Sequence, residues 1–371
     1  MAKKLIIAGG GHASLPVIKM GRHWKSLGLE IVLISENPYL IYSGALPQFM
    51  AGFYDWDQTA IDLVKLCQRY GVTFVESRVE SVNKDQAIVM TSGGEEYLYD
   101  TLLINVGART AKFKHVENAV SVKPMDDLLS LKNRLQQGEI RSLLIAGGGA
   151  AGTELALNLS HPQSFAAPEI TLLENNKRLI SAFPKKMSDS VTRILMERSV
   201  TVKTNTPFRP EMAEEFDATL LAVGNRPGSV SISHDFEMGA NDRILTDEML
   251  RVKGEVNVFA AGDTADVNGQ NYQPIGVHAV KQGVVLRHNI KSIYTGGELT
   301  PYKPYSINPL IMSDGADHAY YLTSRYVLEG RWPAILKYVL DMNWLEKYAK
   351  LPGNRRSYLK LFQDGWKRSG N

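Results

Sequence analysis

Ile7-Ala8-Gly9-Gly10-Gly11 and Ile145-Ala146-Gly147-Gly148-Gly149 are one phrase written twice, each time closing a short apolar run. Each copy predicts a buried parallel strand that runs into a glycine turn and then a helix. The first glycine of such a turn permits the sharp reversal, and the second lets backbone approach a pyrophosphate. The helix N-terminus then offers unsatisfied N–H groups to the phosphate charge. A lone Gly-x-Gly-x-x-Gly is weak evidence. Two in one chain, each followed by a helical stretch and a second strand ending near an acid, predict two dinucleotides on two domains. The chemistry that needs both is electron transfer between a flavin and a nicotinamide.

The copies differ. The second is complete, Gly147-x-Gly149-x-x-Gly152, and Thr153-Glu154-Leu155-Ala156 enters its helix. Its second strand, residues 170–173, ends at Glu174, which lies 22 residues beyond Gly152. A carboxylate at that offset accepts hydrogen bonds from ribose hydroxyls and repels a 2′-phosphate, which favours NADH over NADPH. Lys177 and Arg178 follow and offer charge to a phosphate. The first copy has Ser14 in place of the third glycine. Its acid is read two ways. Counting from the first glycine gives Glu36, whereas aligning the second strands puts Ser35 in the acid's place. Glu36 is favoured as the ribose ligand, with Ser35 adding a hydrogen bond.

Composition bounds the class. With 371 residues, 44% hydrophobic and 22% charged, the chain has room for two domains and part of a third. No apolar stretch approaches the ~20 residues of a membrane span. The apolar run after Lys3-Lys4 is too short for a signal peptide and leads straight into the glycine turn. A single cysteine excludes an internal disulfide and suits a reducing cytoplasm. No residues group into a predicted metal site. Residues 331–371 carry a net charge of +6, leaving −3 on residues 1–330. No nucleic-acid module accompanies this basic, aromatic-rich tail, so nucleic-acid binding is not expected.

The expected class is α/β, with two Rossmann-like dinucleotide-binding domains, the second inserted in the first, and a C-terminal α+β region. An apolar run closing on Gly107 reads as a further parallel strand of the first domain. The acid–strand–glycine order recurs from Asp217 to Gly224 in the second. A third such strand leads to Gly262-Asp263 after the second unit, which makes the first domain discontinuous. The expected boundaries are 1–110 with 241–300 for FAD, 111–240 for NAD(P)H, and 301–371 for the C-terminal region.

At these residues the chain resembles the FAD-dependent pyridine nucleotide oxidoreductases over nearly its whole length. The resemblance implies FAD on Gly9, Gly11 and Ser14, with Ser35, Glu36 and Gly107. It implies NADH on Gly147, Gly149, Gly152, Glu174 and Gly224. Gly262-Asp263 is similar to a second FAD fingerprint, whose Asp hydrogen-bonds the ribityl chain. Disulfide reductases of this superfamily carry a cysteine pair beside the flavin, and some relatives carry one. Here the region reads Tyr42-Ser43-Gly44-Ala45-Leu46-Pro47, where Leu46 and Pro47 would wall the isoalloxazine. Cys67 falls in a predicted helix over 59–70 and reads as core.

What remains resembles the cysteine-free type II NADH dehydrogenases. Within them it resembles the flavoprotein domain fused to selenide, water dikinase, at Gly9-Gly10-Gly11-His12, Tyr42-Ser43-Gly44, Gly276-Val277, Gln282-Gly283, Leu310-Ile311-x-Ser313-x-Gly315 and Gly330-Arg331-Trp332. No kinase half is present in this sequence, and no selenium role is carried over. The group's Ala-Gln-x-Ala-x-Gln segment, where quinone meets flavin, matches residues 277–282. Its second Gln is kept as Gln282, and the first is His278, a proton donor.

The resemblance therefore implies hydride transfer from NADH to FAD and electron delivery to a quinone or other acceptor, with Glu154, His278 and Gln282 as catalytic candidates. Two alternatives remain: an NADH-sensing flavoprotein with little turnover, and a reductase of a small redox protein. Residues 332–348 place Trp332, Ile335, Leu336, Val339, Met342 and Leu345 at helical spacing, with Lys337, Asp341 and Lys347 on another face. This stripe is expected either to pack internally or as a homodimer interface, or to hold the protein peripherally on the inner face of the cell membrane.

Overall fold

The computed structural model describes residues 2–110, 116, 118–122, 126–165, 168–223, 225–227, 236–239, 242–268, 270, 276–304, 310–323 and 326–349. Gly224 and the aromatic, basic residues from 351 onward lie outside the described residues. The chain forms two compact units. One holds residues 1–42, 60–109 and 225–305, and the other holds 43–59, 110–224 and 306–371. Residues 43–59 and the C-terminal region thus group with the second unit.

The first unit is built on a five-stranded sheet in the order Val258–Ala260, Thr101–Ile104, Lys3–Ala8, Leu29–Ser35, Thr73–Glu76. All its pairings are parallel. The inner strands are apolar on both faces, as a sheet covered on both sides requires: Leu5, Ile6, Ile7, Leu102, Leu103 and Ile104 have no exposed surface. The strand after Ala8 and the strand after Ile104 leave the sheet side by side in opposite winding directions. That is the switch point where open α/β sheets bind ligands. An antiparallel sheet of Val79–Asn83, Ile88–Thr91 and Glu96–Leu98 belongs to the same unit.

The second unit repeats the plan. Its sheet runs Ala119–Ser121, Ala218–Leu221, Ser142–Ala146, Glu169–Leu173, Thr201–Lys203, again all parallel. The acids that precede Thr101–Ile104 and Ala218–Leu221, the fourth strands of the two glycine-turn repeats, have a shared task. Asp100 Oδ2 accepts the Lys4 N–H at 2.7 Å, and Asp217 Oδ2 accepts the Arg141 and Ser142 N–H groups at 2.8 and 2.9 Å. Each carboxylate pins the start of the glycine-turn strand to the strand beside it, which sets their register. The Asp217 carboxyl is held below its usual range by these backbone bonds, that from Ser142 first.

The C-terminal region is an antiparallel sheet, Leu310–Asp314, His318–Leu322 and Val327–Gly330, followed by helix Arg331–Leu345. Two expectations need correction. The helix foreseen over 59–70 begins only at Leu63, because Ala60–Asp62 pairs as a strand with Tyr39–Ile41 and Asp62 caps the helix through Lys65 N–H. The faces of helix Arg331–Leu345 also fall otherwise than the apolar stripe suggests, although Lys347, beyond the helix, is exposed. Lys337 and Asp341 are 5% and 4% exposed, while Trp332, Ile335, Val339 and Leu340 are 61%, 43%, 44% and 53% exposed. The cause is the ion pair between Lys337 Nζ and Asp341 Oδ2 at 2.7 Å, with Lys337 also donating to the Gly44 carbonyl at 2.5 Å. Each charge is desolvated together with a partner, so this polar edge packs inward. Met342 and Leu345 are buried beside it.

Candidate functional site

The two glycine turns form in the same way. Gly9 has φ +99° and Gly147 φ +111°, a region that favours glycine. The Gly9 N–H donates to Ile34 O at 2.8 Å, and Gly147 N–H to Leu173 O at 2.9 Å. A Cβ on Gly9 would strike the Asn105 carbonyl, and one on Gly147 would lie 2.6 Å from the Ala222 carbonyl. Asn105 and Ala222 are therefore equivalent residues at the ends of the fourth strands.

In the second turn the third glycine is obligatory, because a Cβ on Gly152 would collide with Gly147 O. Gly149 caps the ten-residue helix Ala150–Leu159, and a Cβ there would meet nothing within 4 Å. Open space over Gly149, beside the helix N-terminus, is what a pyrophosphate approaching backbone needs. Glu174 is 7% exposed and its Oε1 accepts from Asn176 N and Nδ2 at 2.7 and 2.6 Å. Its Oε2 would lie 3.0 Å from a Cβ on Gly148, so the carboxylate stands against the glycine turn. Lys177 and Arg178 line a cavity of about 700 Å³ with Asp189, Arg193 and Thr204, and Arg178 donates to Ser181 O at 2.6 Å. These features fit a nicotinamide dinucleotide.

In the first turn Ser14 Oγ donates to Gly9 O at 2.7 Å and accepts from Asn105 Nδ2 at 3.0 Å. Asn105, 3% exposed, was not singled out from sequence. Its carboxamide fills the space beside Gly11, where a Cβ would lie 2.7 Å from Nδ2, and beside Gly262, where a Cβ would lie 2.7 Å from Oδ1. The only sequence signal was a polar residue inside an otherwise apolar run. Strand register makes Ser35 the counterpart of Glu174, since Ala8 pairs with Ile34 and Ala146 with Leu173. A Cβ on Gly10 would lie 3.0 Å from Ser35 Oγ, matching the approach of Glu174 to Gly148. Glu36 is one residue further on and exposed.

Gly107 (φ +76°) donates its N–H to Thr264 Oγ1 at 3.0 Å, and Asp263 lies in the turn Gly262–Thr264. Gln282, fully buried in helix Gly276–Thr295, accepts the Gly262 N–H on Oε1 at 2.7 Å. That bond fixes the turn that presents Asp263. A cradle of glycines meeting at the switch point, with Asp263 in the adjoining turn, fits a dinucleotide. His278, 2% exposed, meets Tyr302 Oη through Nδ1 at 2.6 Å. Burial, and then the charge of Lys281, lower its pKa, which keeps the imidazole neutral.

Leu46 and Pro47 open the buried helix Leu46–Met50 of the second unit, which packs on helix Ala150–Leu159. In the same unit Glu154 Oε1 accepts Ser313 N and Oγ, each at 2.7 Å. Burial pushes the Glu154 carboxyl up, against the opposing pull of Lys337 and of the Ser313 bonds. Burial alone would lower Lys337, but the Asp341 and Glu154 charges outweigh it and hold the ammonium charged. Cys67 is fully buried and its thiol is pushed up to about 12, which leaves no thiolate at neutral pH. Among the described residues no group of His, Cys, Asp or Glu is arranged to hold a metal ion.

The chain belongs to the pyridine nucleotide-disulphide oxidoreductase family, whose model matches residues 3–283. It is 24% identical to a probable NADH dehydrogenase of Dictyostelium discoideum, over 99% of this chain and 89% of that protein. It is 23% identical to a type II NADH:quinone oxidoreductase of Staphylococcus aureus, over 91% of this chain and 94% of that one. Its fold matches NDH2 of Plasmodium falciparum, solved with NADH, at a TM-score of 0.75 and 14% identity, over 94% of this chain and 99% of that one. The sulfide:quinone oxidoreductase of Aquifex aeolicus matches at 0.73 and 18%, over 94% and 91%.

Proposed function

We propose that this protein is an FAD-dependent NADH:quinone oxidoreductase that works without a thiol. The observation that carries the reading is the pair of glycine turns, each at the switch point of its own parallel sheet, in a chain of this family. The names of the two sequence relatives support NADH as donor and a quinone as acceptor.

In this reading residues 1–110 and 241–300 hold FAD and residues 111–240 hold NADH. The glycine turn after Ala8, packed on Asn105 through Gly9 and Gly11, receives the FAD pyrophosphate, Asp263 takes the ribityl chain, and Ser35 in place of Glu36 stands at the ribose. Gly147, Gly149 and Gly152 receive the NADH pyrophosphate, and Glu174 takes its ribose hydroxyls. When bound, FAD supplies the redox chemistry, accepting a hydride and releasing electrons singly or in pairs. Gln282 acts by fixing the Gly262 turn and His278 by holding Tyr302. The proton-handling group is Glu154, whose carboxyl burial pushes above the usual carboxylate range.

The exposed Trp332, Ile335, Val339 and Leu340, with Tyr326 and Leu328 at 59% and 47%, support peripheral adsorption to a bilayer, where quinones reside. No helix among the described residues is long and apolar enough to cross a membrane. Steady-state assays with NADH test the acceptor. A soluble quinone should speed NADH oxidation well beyond the rate with oxygen alone. Preference for an iron–sulfur protein over every quinone would redirect the reading to a protein reductase, and no turnover with any acceptor would make the protein a sensor.

A further inference from the structure

Both hydrogen bonds that Glu154 Oε1 accepts come from one residue, Ser313, through its N–H and its hydroxyl. In a protonated carboxyl the hydroxyl oxygen accepts hydrogen bonds more weakly than the carbonyl oxygen, so the oxygen that already accepts two donors is the less favourable one to protonate. We propose that Ser313 divides the Glu154 carboxyl, reserving Oε1 as a standing acceptor and leaving Oε2 as the one atom that takes up and releases a proton. This rests on the reading of Glu154 as the proton-handling group.

Ser313 is itself fixed. Asn158, one turn beyond Glu154 on the same helix, donates through Nδ2 to Glu154 O at 2.8 Å and Ser313 O at 2.9 Å, with Ser313 Oγ a shared third acceptor at 3.1 Å. The Ser313 hydroxyl proton is directed at Glu154 Oε1. Asn158 Oδ1 accepts from Gly315 N–H at 3.1 Å, and Gln48 Nε2 donates to Gly315 O at 3.1 Å. Between them, Asp314 takes a two-pronged ion pair from Arg198 at 2.5 and 3.0 Å. The strand end that presents Ser313 is therefore clamped on both sides, and the geometry around Oε1 does not depend on the state of the proton. The charged groups facing Glu154 are Lys337 and Asp341, both on helix Arg331–Leu345. Lys337 opposes the pull of burial, Asp341 adds to it, and among the described residues the direct bonds to the carboxyl come from Ser313. Ser313 is thus a positioning residue whose hydroxyl strengthens the acid while its N–H selects the oxygen.

Infrared pH-difference spectra of the flavin-loaded protein test this without turnover, with Glu154→Gln as the blank. The protonated Glu154 carbonyl should absorb at the low-frequency end of the carboxylic-acid range, because Oε1 accepts two hydrogen bonds. Ser313→Ala should move the band upward and make Glu154 an acid about tenfold weaker, while Ser313→Thr should leave both unchanged. A wild-type band at the high-frequency end, where a carbonyl accepts no hydrogen bond, overturns the proposal, and this arm needs no variant of Ser313 to fold. So does an ionisation midpoint that Ser313→Ala leaves in place, or the absence of any titrating band lost in Glu154→Gln. The dependence on the functional reading is separated by the pH profile of turnover. If Glu154→Gln keeps the alkaline limb, Glu154 is not the proton-handling group, whereas loss of that limb with no shift in Ser313→Ala counts against Ser313 alone.

Discussion

The turn after Lys3–Ala8 and the turn after Ser142–Ala146 hold one backbone geometry with two different chemistries. In the second, two corners close by bare contact, since Gly152 has no room for a side chain and Ala222 offers only a methyl group, and a ten-residue helix starts at once. In the first, Ser14 and Asn105 stand at those corners and hydrogen-bond to each other and to Gly9 O, and helix Leu15–Ile18 is a single turn. The residue beside the middle glycine changes as well, from Glu174 at Gly148 to Ser35 at Gly10. The third glycine of the fingerprint is thus one solution to close packing. A serine works when a buried amide supplies the donor its hydroxyl needs, at a net gain of about 1 kcal/mol per bond and a larger loss if one partner is left alone.

Three substitutions sharpen the comparison. Gly152→Ala should have the largest effect. The new methyl group must displace Gly147 O, and a misplacement on the order of 1 Å should slow flavin reduction by NADH about a hundredfold while flavin content is unchanged. Stopped-flow reduction with matched absorbance spectra measures both, and loss of flavin instead would mean that the second turn holds FAD. Glu174→Ala comes next, with a shift of about tenfold in the NADPH:NADH preference, read from the same kinetics with each nucleotide. An unchanged ratio would mean that Lys177 and Arg178 already decide it.

The smallest effect, and the most specific to the comparison, is at the hydrogen-bonded pair. Ser14→Gly or Asn105→Ala alone should weaken FAD binding about fivefold to tenfold, since each strands a buried polar partner. The double variant carries the Gly and Ala of the second turn and should lose less than the two single losses combined. Fluorescence titration of the apoprotein with FAD gives the cycle, and strictly additive losses would show that the pair is not a unit.

The strands, turns and their parallel order were legible because buried parallel strands read as unbroken apolar runs and the turns need glycine for steric reasons. The repeat of an acid before each fourth strand was visible too, though its task at Lys4 and at Ser142 is a matter of backbone contact that only the fold reveals. Asn105 and Ser313 were not marked as site residues, because each acts on a group distant in sequence: Ser14, 91 residues away, and Glu154, 159 residues away. Helix Arg331–Leu345 misled for a related reason. Its spacing shows two faces, but which one is buried was decided by Gly44 and Glu154, which give Lys337 and Asp341 an inward destination. Counting from the glycine favoured Glu36, whereas strand register makes Ser35 the counterpart of Glu174.

The central claim is that one chain holds a flavin on its first turn and NADH on its second, and that the NADH reduces the flavin. Anaerobic titration of the FAD-reconstituted protein with NADH tests it most directly. One equivalent of NADH should bleach the oxidised flavin band completely, and NADPH should do so much more slowly. Failure of the folded protein to take up FAD, or a flavin that dithionite reduces but NADH does not, would contradict the account.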